Sequence, residues 1–276
     1  MKKIILLATI VLSLFTLAAC TGEDSNTSAV AAPLQTINIG ATASPHAEVL
    51  EYIAPALEEY GFRLNIVIFD DFISPNLALD AGDIDINYFQ HTPFLNNFNA
   101  NHGTNLVPVF GVHFEPLRLY AGRLDSLDNI PDGATIAIPD DPTNEARALG
   151  LLEYLGLIQL APNLGLSATT TDIAHNPHNL TIIPLEAPIL PPSLPDVDFA
   201  VINGNFALAG GVIDRAIEGA GEAPDSPAAQ QFTNYLVVRA GYEDGLALAA
   251  LIDALGTQAV RDFIHNQYLG RVVPTF

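Results

Sequence analysis

One cysteine, Cys20, and two lysines, Lys2 and Lys3, are all that this 276-residue chain contains of those two residue types. A lone cysteine excludes an intramolecular disulfide and a cysteine-based metal cluster. Beyond the first three residues every basic side chain is an arginine: Arg63, Arg118, Arg123, Arg147, Arg215, Arg239, Arg261 and Arg271. These eight face 31 acidic residues, a balance of −23. A surface this acidic argues against nucleic acid and against loose attachment to anionic lipid. It also gives weight to any arginine in an apolar setting. The seven histidines show no H-x-H or H-x-x-x-H ligand spacing, and His175-x-x-His178 sits beside Pro177. No G-x-S-x-G, phosphate loop or internal repeat is present. The expectation is a protein that is not an enzyme and needs no cofactor, with a metal-binding surface lipoprotein using His46, His91 or His113 as the alternative.

What is present begins with an export segment. Lys2 and Lys3 precede the apolar run Ile4 to Leu17, which is short for a membrane span and placed like a signal peptide. It ends in Leu17-Ala18-Ala19-Cys20, which resembles a bacterial lipobox. The reading is a signal peptide over 1–19, a lipidated Cys20, and a flexible tether over 20–33. The remaining chain is then held at the extracytoplasmic face of the cell membrane. Removing residues 1–19 leaves 257, enough for one large or two modest domains. No second apolar run reaches membrane length.

The rest alternates in type. Strands are expected at Thr36–Gly40, Leu64–Phe69 and Asp83–Phe89, the last by alternation. Helices open at Ser44-Pro45, Ser74-Pro75 and Thr92-Pro93 and close at Gly61, Gly82 and Gly103. The first helix should turn Val49, Ile53, Leu57 and Tyr60 to one side. This β-α-β-α-β-α rhythm implies an α/β fold with a mostly parallel sheet. Further strands read at Thr135–Ile138, Leu180–Leu185 and Val197–Ile202. Helices read after Asp141, around Thr171-Asp172, and near Glu243–Leu255 and Thr257–Tyr268. Extended stretches near His113–Tyr120 and Asn234–Arg239 suit two crossings between lobes. The lobes are 34–115 with 235–276, and 116–234, with a ligand cleft between them at the strand ends.

The stretch Ala137 to Leu152, AIPDDPTNEARALGLL, is the most informative. Asp141 can cap a helix with Pro142 at its first position. Ala146, Leu149, Leu152 and Leu155 can pack inward. Asn144 and Arg147, three apart, share one face and suit a ligand carboxylate held bidentately. The alternative is a surface pair between Arg147 and Asp140 or Asp141. Other clusters fall at strand ends: Asp70-Asp71-Phe72, then Tyr88-Phe89-Gln90-His91 with Phe94, and Asn203-Gly204-Asn205. Asn234, on the second crossing, can join them. Taken singly, the phenylalanines read as core, His91 as a helix cap and the asparagines as turn residues. Together they describe an amino-acid pocket: carboxylate on Arg147, amine on amides, apolar tail among rings.

The strings PHAEVLE, SPNLALDAGDIDINYFQHTPFL, VHFEP, IPDDPTNEARALGLLE, VDFAVINGNFAL and NYLVVR resemble the NlpA/MetQ family of methionine-binding lipoproteins from Pro45 to Arg239, with a weaker match through VVPTF. The resemblance implies a two-lobed periplasmic-binding-protein fold that closes on its ligand. It implies capture of methionine, a related apolar amino acid or a methionine-containing dipeptide for the permease and ATPase of an ABC importer, by a monomer. Its ligand residues match Phe89, His91, Phe94, Asn144, Arg147, Asn203 and Asn234, with Phe72 and Asn205 beside them. The family usually carries tyrosine where this chain has Phe72 and Phe94.

Overall fold

Apolar residues spaced three and four apart, stopped by glycine, build the first third of the molecule. The computed structural model describes Pro33–Phe276. The signal peptide, the lipobox at Cys20 and the tether up to Ala32 lie outside the described residues. No described helix is long and apolar enough to cross a membrane.

Strand β1 (Gln35–Ala41) leads through a turn at Ala43–Ala47 into α1 (Glu48–Glu59). Val49, Leu50, Ile53 and Leu57 are buried on one face of α1. Tyr60, expected on that face, is instead 54% exposed, because the helix ends at Glu59 and the chain turns at Gly61. Then come β2 (Phe62–Ile68), α2 (Ser74–Ala81), β3 (Ile86–His91) and α3 (Thr92–His102). Gly82 and Gly103 end their helices at φ +83° and +69°, a region that favours glycine. Asp71 closes the turn ahead of α2, its Oδ1 accepting from the backbone N–H of Ile73 and Ser74.

The chain continues through β4 (Leu106–Phe114), β5 (Arg118–Ala121), β6 (Thr135–Pro139), α4 (Pro142–Tyr154), and the short pair β7 (Gln159–Leu160) and β8 (Ile173–His175). The helix expected around Thr171-Asp172 is only a 3-10 turn, Thr170–Asp172, closed by reciprocal bonds between Thr169 and Asp172. Next are β9 (Thr181–Leu185), α5 (Leu190–Ser193), β10 (Phe199–Ile202), α6 (Gly204–Ala209), β11 (Ala216–Gly221) and α7 (Pro227–Gln231). The end comprises β12 (Thr233–Arg239), α8 (Leu246–Leu255), α9 (Gln258–Tyr268) and β13 (Val273–Pro274).

Two sheets result. The first has the order β13-β4-β12-β3-β1-β2 and the second β11-β5-β10-β6-β9. The expected parallel pairing holds for β2-β1-β3 and for β10-β6-β9, but β12, β4, β13, β5 and β11 join antiparallel. The change of direction begins with β5 and β12, which enter from the other sheet and run antiparallel to β10 and β3. Strand β3 shows no burial alternation: all six residues are buried, since β1 and β12 flank it and helices cover both faces.

The chain leaves the first sheet after Phe114 and joins the second at Arg118. It returns through 222–232. The stretch Asn234–Arg239, read as a crossing, lies within β12, between β3 and β4. Separate cores lie against the two sheets, one with Ile39, Leu50, Leu236 and Leu251, the other with Leu119, Ile138, Leu149 and Val201. Strands β3, β6 and β10 point their C-terminal ends at a common space, which is where α/β folds bind ligands.

Candidate ligand-binding site

That space is a narrow cleft, partly open to solvent. Phe72, Phe89, His91, Phe94, Asn144, Arg147, Asn203, Asn205 and Asn234 all line it, together with Gln90, Glu115 and Gly204. The bland readings of single residues hold in part beside this placement. His91 does cap α3, with Nδ1 accepting from the Phe94 N–H at 3.2 Å. Asp141 caps α4, as expected.

One wall is aromatic. The ring of Phe72 lies 6.0 Å from Phe89, 5.7 Å from Phe94 and 4.9 Å from Phe206 on α6. One contact is stacked, one edge-on and one tilted, arrangements that suit the ring quadrupoles. Gln90 sits under that wall, with its amide engaged by Asn76 and Asn87.

The opposite wall is polar and begins at Asp141. Its Oδ1 accepts from the Asn144 N–H at 3.0 Å and from the Thr143 hydroxyl, and its Oδ2 accepts from Asn144 Nδ2 at 2.9 Å. Burial pushes this carboxyl's pKa up, against those bonds. Asn144 Oδ1 then meets two groups, His91 Nε2 at 3.2 Å and Asn203 Nδ2 at 3.0 Å. His91 is neutral: burial, and then Arg147, lower its pKa to about 3.

Arg147 is buried between the cleft and Glu222. Nε and Nη2 donate to Glu222 Oε1 and Oε2 at 2.8 and 2.5 Å, and Nη2 also donates to the Glu115 carbonyl at 3.0 Å. The guanidinium lies 4.0 Å from the Phe232 ring centre, a cation–π arrangement. The expected alternative partners, Asp140 and Asp141, do not pair with it; Asp141 is engaged in capping. One edge of the guanidinium is already taken, and among the described residues only Nη1 has no protein acceptor.

Glu115 closes the floor. It accepts from His113 Nε2 at 2.7 Å and lies 3.4 Å from His46 Nε2. His46 Nε2 also faces Asn234 Oδ1 at 3.1 Å. Because acceptors face both Nε2 atoms, both carry the proton. Their Nδ1 atoms therefore accept from the hydroxyls of Thr42 and Tyr88. Burial lowers His46 to about 4 and His113 to about 3, and raises Glu115. This is the one described group of histidines and carboxylates close enough together to hold an ion. Its nitrogen protons are already directed at Glu115, so the cluster reads as a closed hydrogen-bond network, and the metal alternative gains no support.

Sequence reasoning missed Glu115 and Glu222, and it placed Gly204 in the Asn203-Gly204-Asn205 cluster without giving it a role. Gly204 has a steric reason: a Cβ there would lie 2.9 Å from Glu115 Cβ and Oε2. Glu115 lies inside the family-like string VHFEP, which was the available signal. Nothing local marks Glu222.

Two buried polar atoms in the cleft have no partner: Asn203 Oδ1, an acceptor, and Asn205 Nδ2, a donor. Buried polar atoms are nearly always satisfied, so such a pair facing one space marks a ligand position. Two mixed sheets, with an aromatic wall, unpartnered amides and a cation at their shared strand ends, define a substrate-binding protein. The fold is shared with a periplasmic substrate-binding protein of an ABC transporter from Coxiella burnetii (36% identity, TM-score 0.79, 87% of this chain and all of that one). A nutrient binding protein from Burkholderia cenocepacia, solved bound to methionine, is 37% identical with a TM-score of 0.81 over 87% of this chain and all of that one. The chain belongs to the NlpA lipoprotein family, whose model matches residues 37–276. The D-methionine-binding lipoprotein MetQ of Salmonella typhimurium is 38% identical over 229 residues, 82% of each chain.

Proposed function

We propose that this chain is an extracytoplasmic solute-binding lipoprotein that captures methionine, or a closely related apolar amino acid or methionine-containing dipeptide, for an ABC importer. The observation that carries this reading is the pairing of opposite signs in one cleft. Asn203 Oδ1 offers an acceptor, and Asn205 Nδ2 and Arg147 Nη1 offer donors, opposite a wall of phenylalanines. A zwitterion with an apolar tail complements that pattern: ammonium on Asn203, carboxylate on Arg147 and Asn205, thioether on Phe72, Phe89 and Phe94. His91, Asn144 and Asn234 complete the frame. No group in this arrangement is asked to transfer a proton, so the site binds rather than catalyses.

The segments 34–115 with 235–276 and 116–234 act as two lobes that close on the ligand through the links near Glu115 and 222–232. The protein works as a monomer, anchored through Cys20, and delivers its ligand to a permease and ATPase complex. Titration calorimetry on the chain without its export segment tests the reading. Methionine should bind saturably and alanine far more weakly. Equal affinity for the two would overturn the apolar-pocket assignment.

A further inference from the structure

The orientation of the cleft's amides is set from outside the cleft. A carboxylate only accepts hydrogen bonds, so Asp141 Oδ2 obliges Asn144 to present its NH2. Asn144 Oδ1 must then face the cleft side, where it accepts from Asn203 Nδ2. A second anchor enforces the same direction. The Phe94 N–H is donated to His91 Nδ1, so His91 carries its proton on Nε2 and donates to the same Asn144 Oδ1. With one Nδ2 hydrogen donated to Asn144, the Asn203 amide is held in one orientation, and its Oδ1 is buried at the cleft without a protein partner.

We propose that Asp141 is a positioning residue that fixes the direction of the Asp141–Asn144–Asn203 relay, and that this direction makes the site select ligands placing a hydrogen-bond donor, a free ammonium, against Asn203 Oδ1. The proposal rests on the amino-acid reading above and adds to it which functional group is discriminated. A ligand with an acceptor at that position sets two oxygens face to face and leaves both unpaired in a buried space. Sites built to hydrogen-bond one group reject the analogue lacking it far more strongly than a methylene difference is rejected.

The test compares methionine with its 2-oxo acid, 4-methylthio-2-oxobutanoate. The two share the carboxylate and thioether tail, but the oxo acid carries a carbonyl in place of the amine. In the wild-type protein the oxo acid should bind about 100-fold or more weakly than methionine. Asp141→Asn keeps an oxygen to cap α4 but puts an NH2 against Asn144, so the relay loses its consistent direction. The methionine-to-oxo-acid affinity ratio should fall about 10-fold or more. Asp141→Ser, which also caps helices but is too short to reach Asn144 Nδ2, should lower the ratio in the same sense and serves if the first variant does not fold. Asn203→Ala, which removes the acceptor, should lower it as well. A purely structural cap would lower both affinities by the same factor and leave the ratio unchanged; that result overturns the proposal. Equal binding of both compounds by wild type overturns it too, while leaving the apolar pocket standing. Failure of wild type to bind methionine at all overturns the amino-acid reading itself.

Discussion

Arg147 and Glu222, 75 residues apart in the chain, meet in a two-point ion pair, Nε to Oε1 at 2.8 Å and Nη2 to Oε2 at 2.5 Å. Their side chains are 5% and 12% exposed. Glu222 stands on the far side of the arginine from the cleft and also accepts from the Leu117 N–H at 2.7 Å. It therefore joins α4, the outgoing link and the returning link at one point, and leaves Nη1 as the one guanidinium nitrogen without an acceptor among the described residues.

Removing either partner leaves a buried charge uncompensated, which costs on the order of 3–5 kcal/mol of stability. Arg147→Ala should also weaken methionine binding about 30- to 5,000-fold, the equivalent of roughly 2–5 kcal/mol. The double variant Arg147→Ala/Glu222→Ala separates the two roles. Urea unfolding should show much of the stability restored, while calorimetry shows binding still lost. Restored binding in the double variant would mean that Arg147 serves the fold alone.

The aromatic wall predicts a graded preference. Sulfur–ring contacts contribute about 0.3–1.5 kcal/mol each. Norleucine and leucine should therefore bind detectably but more weakly than methionine. Phe89→Leu should narrow the gap between methionine and norleucine by several-fold in the same calorimetric assay.

Acid should destabilise the protein. In the unfolded chain His46, His91 and His113 protonate near pH 6.5. In the folded protein burial holds them at about 4, 3 and 3. The unfolded state then binds more protons between about pH 6.5 and 4, so stability is present above that window and is lost as the pH falls through it. Glu115 and Asp141, raised by burial, act in the opposite sense and offset part of the loss. Urea unfolding from pH 7 to 4.5 should show declining stability. His113→Gln should make the slope shallower by up to about 1.4 kcal/mol per pH unit, one proton's worth.

Gly204→Ala should cost about 1–3 kcal/mol in urea unfolding, because its Cβ would meet Glu115 at 2.9 Å and that carboxylate is held from several sides. A neutral outcome would show that the Glu115 network is slack.

Cys20→Ser should release the protein from the membrane fraction, since attachment through two or more acyl chains exceeds the threshold for stable anchoring. Fractionation of cells expressing wild type and variant checks this. Retention of the variant would refute the lipobox.

The local grammar of the chain was legible before any coordinates. Ser74-Pro75 with Gly82, Thr92-Pro93 with Gly103, and Asp141-Pro142 are start and stop signals contained within one element, and each lies where expected. The cleft residues were legible for a related reason: rings and amides just beyond apolar strands point to strand ends, and α/β folds gather strand ends. Where reading failed, the deciding partner was distant or the signal weak. The turn at Thr170–Asp172 lacks the apolar periodicity that extends a helix. Strand β3 lost its alternation because both of its faces are covered: Ile86 and Tyr88 lie in one core with residues of α1 and α8, and Phe89 in another with residues of α2 and α3.

By itself the sequence determined which segments become strands and helices, which faces are apolar, and which chemical groups stand at the strand ends, because those depend on spacings of a few residues. Only the tertiary structure decided the pairings: Glu222 among 31 acidic residues for Arg147, Glu115 for His46 and His113, and Asn203 for Asn144 across 59 residues. The physical reason is that such a pairing depends on strand order and on where the chain passes between sheets. The direction of each amide depends further on what its neighbour can donate or accept, a constraint that exists only once the groups are within 3 Å or so of one another.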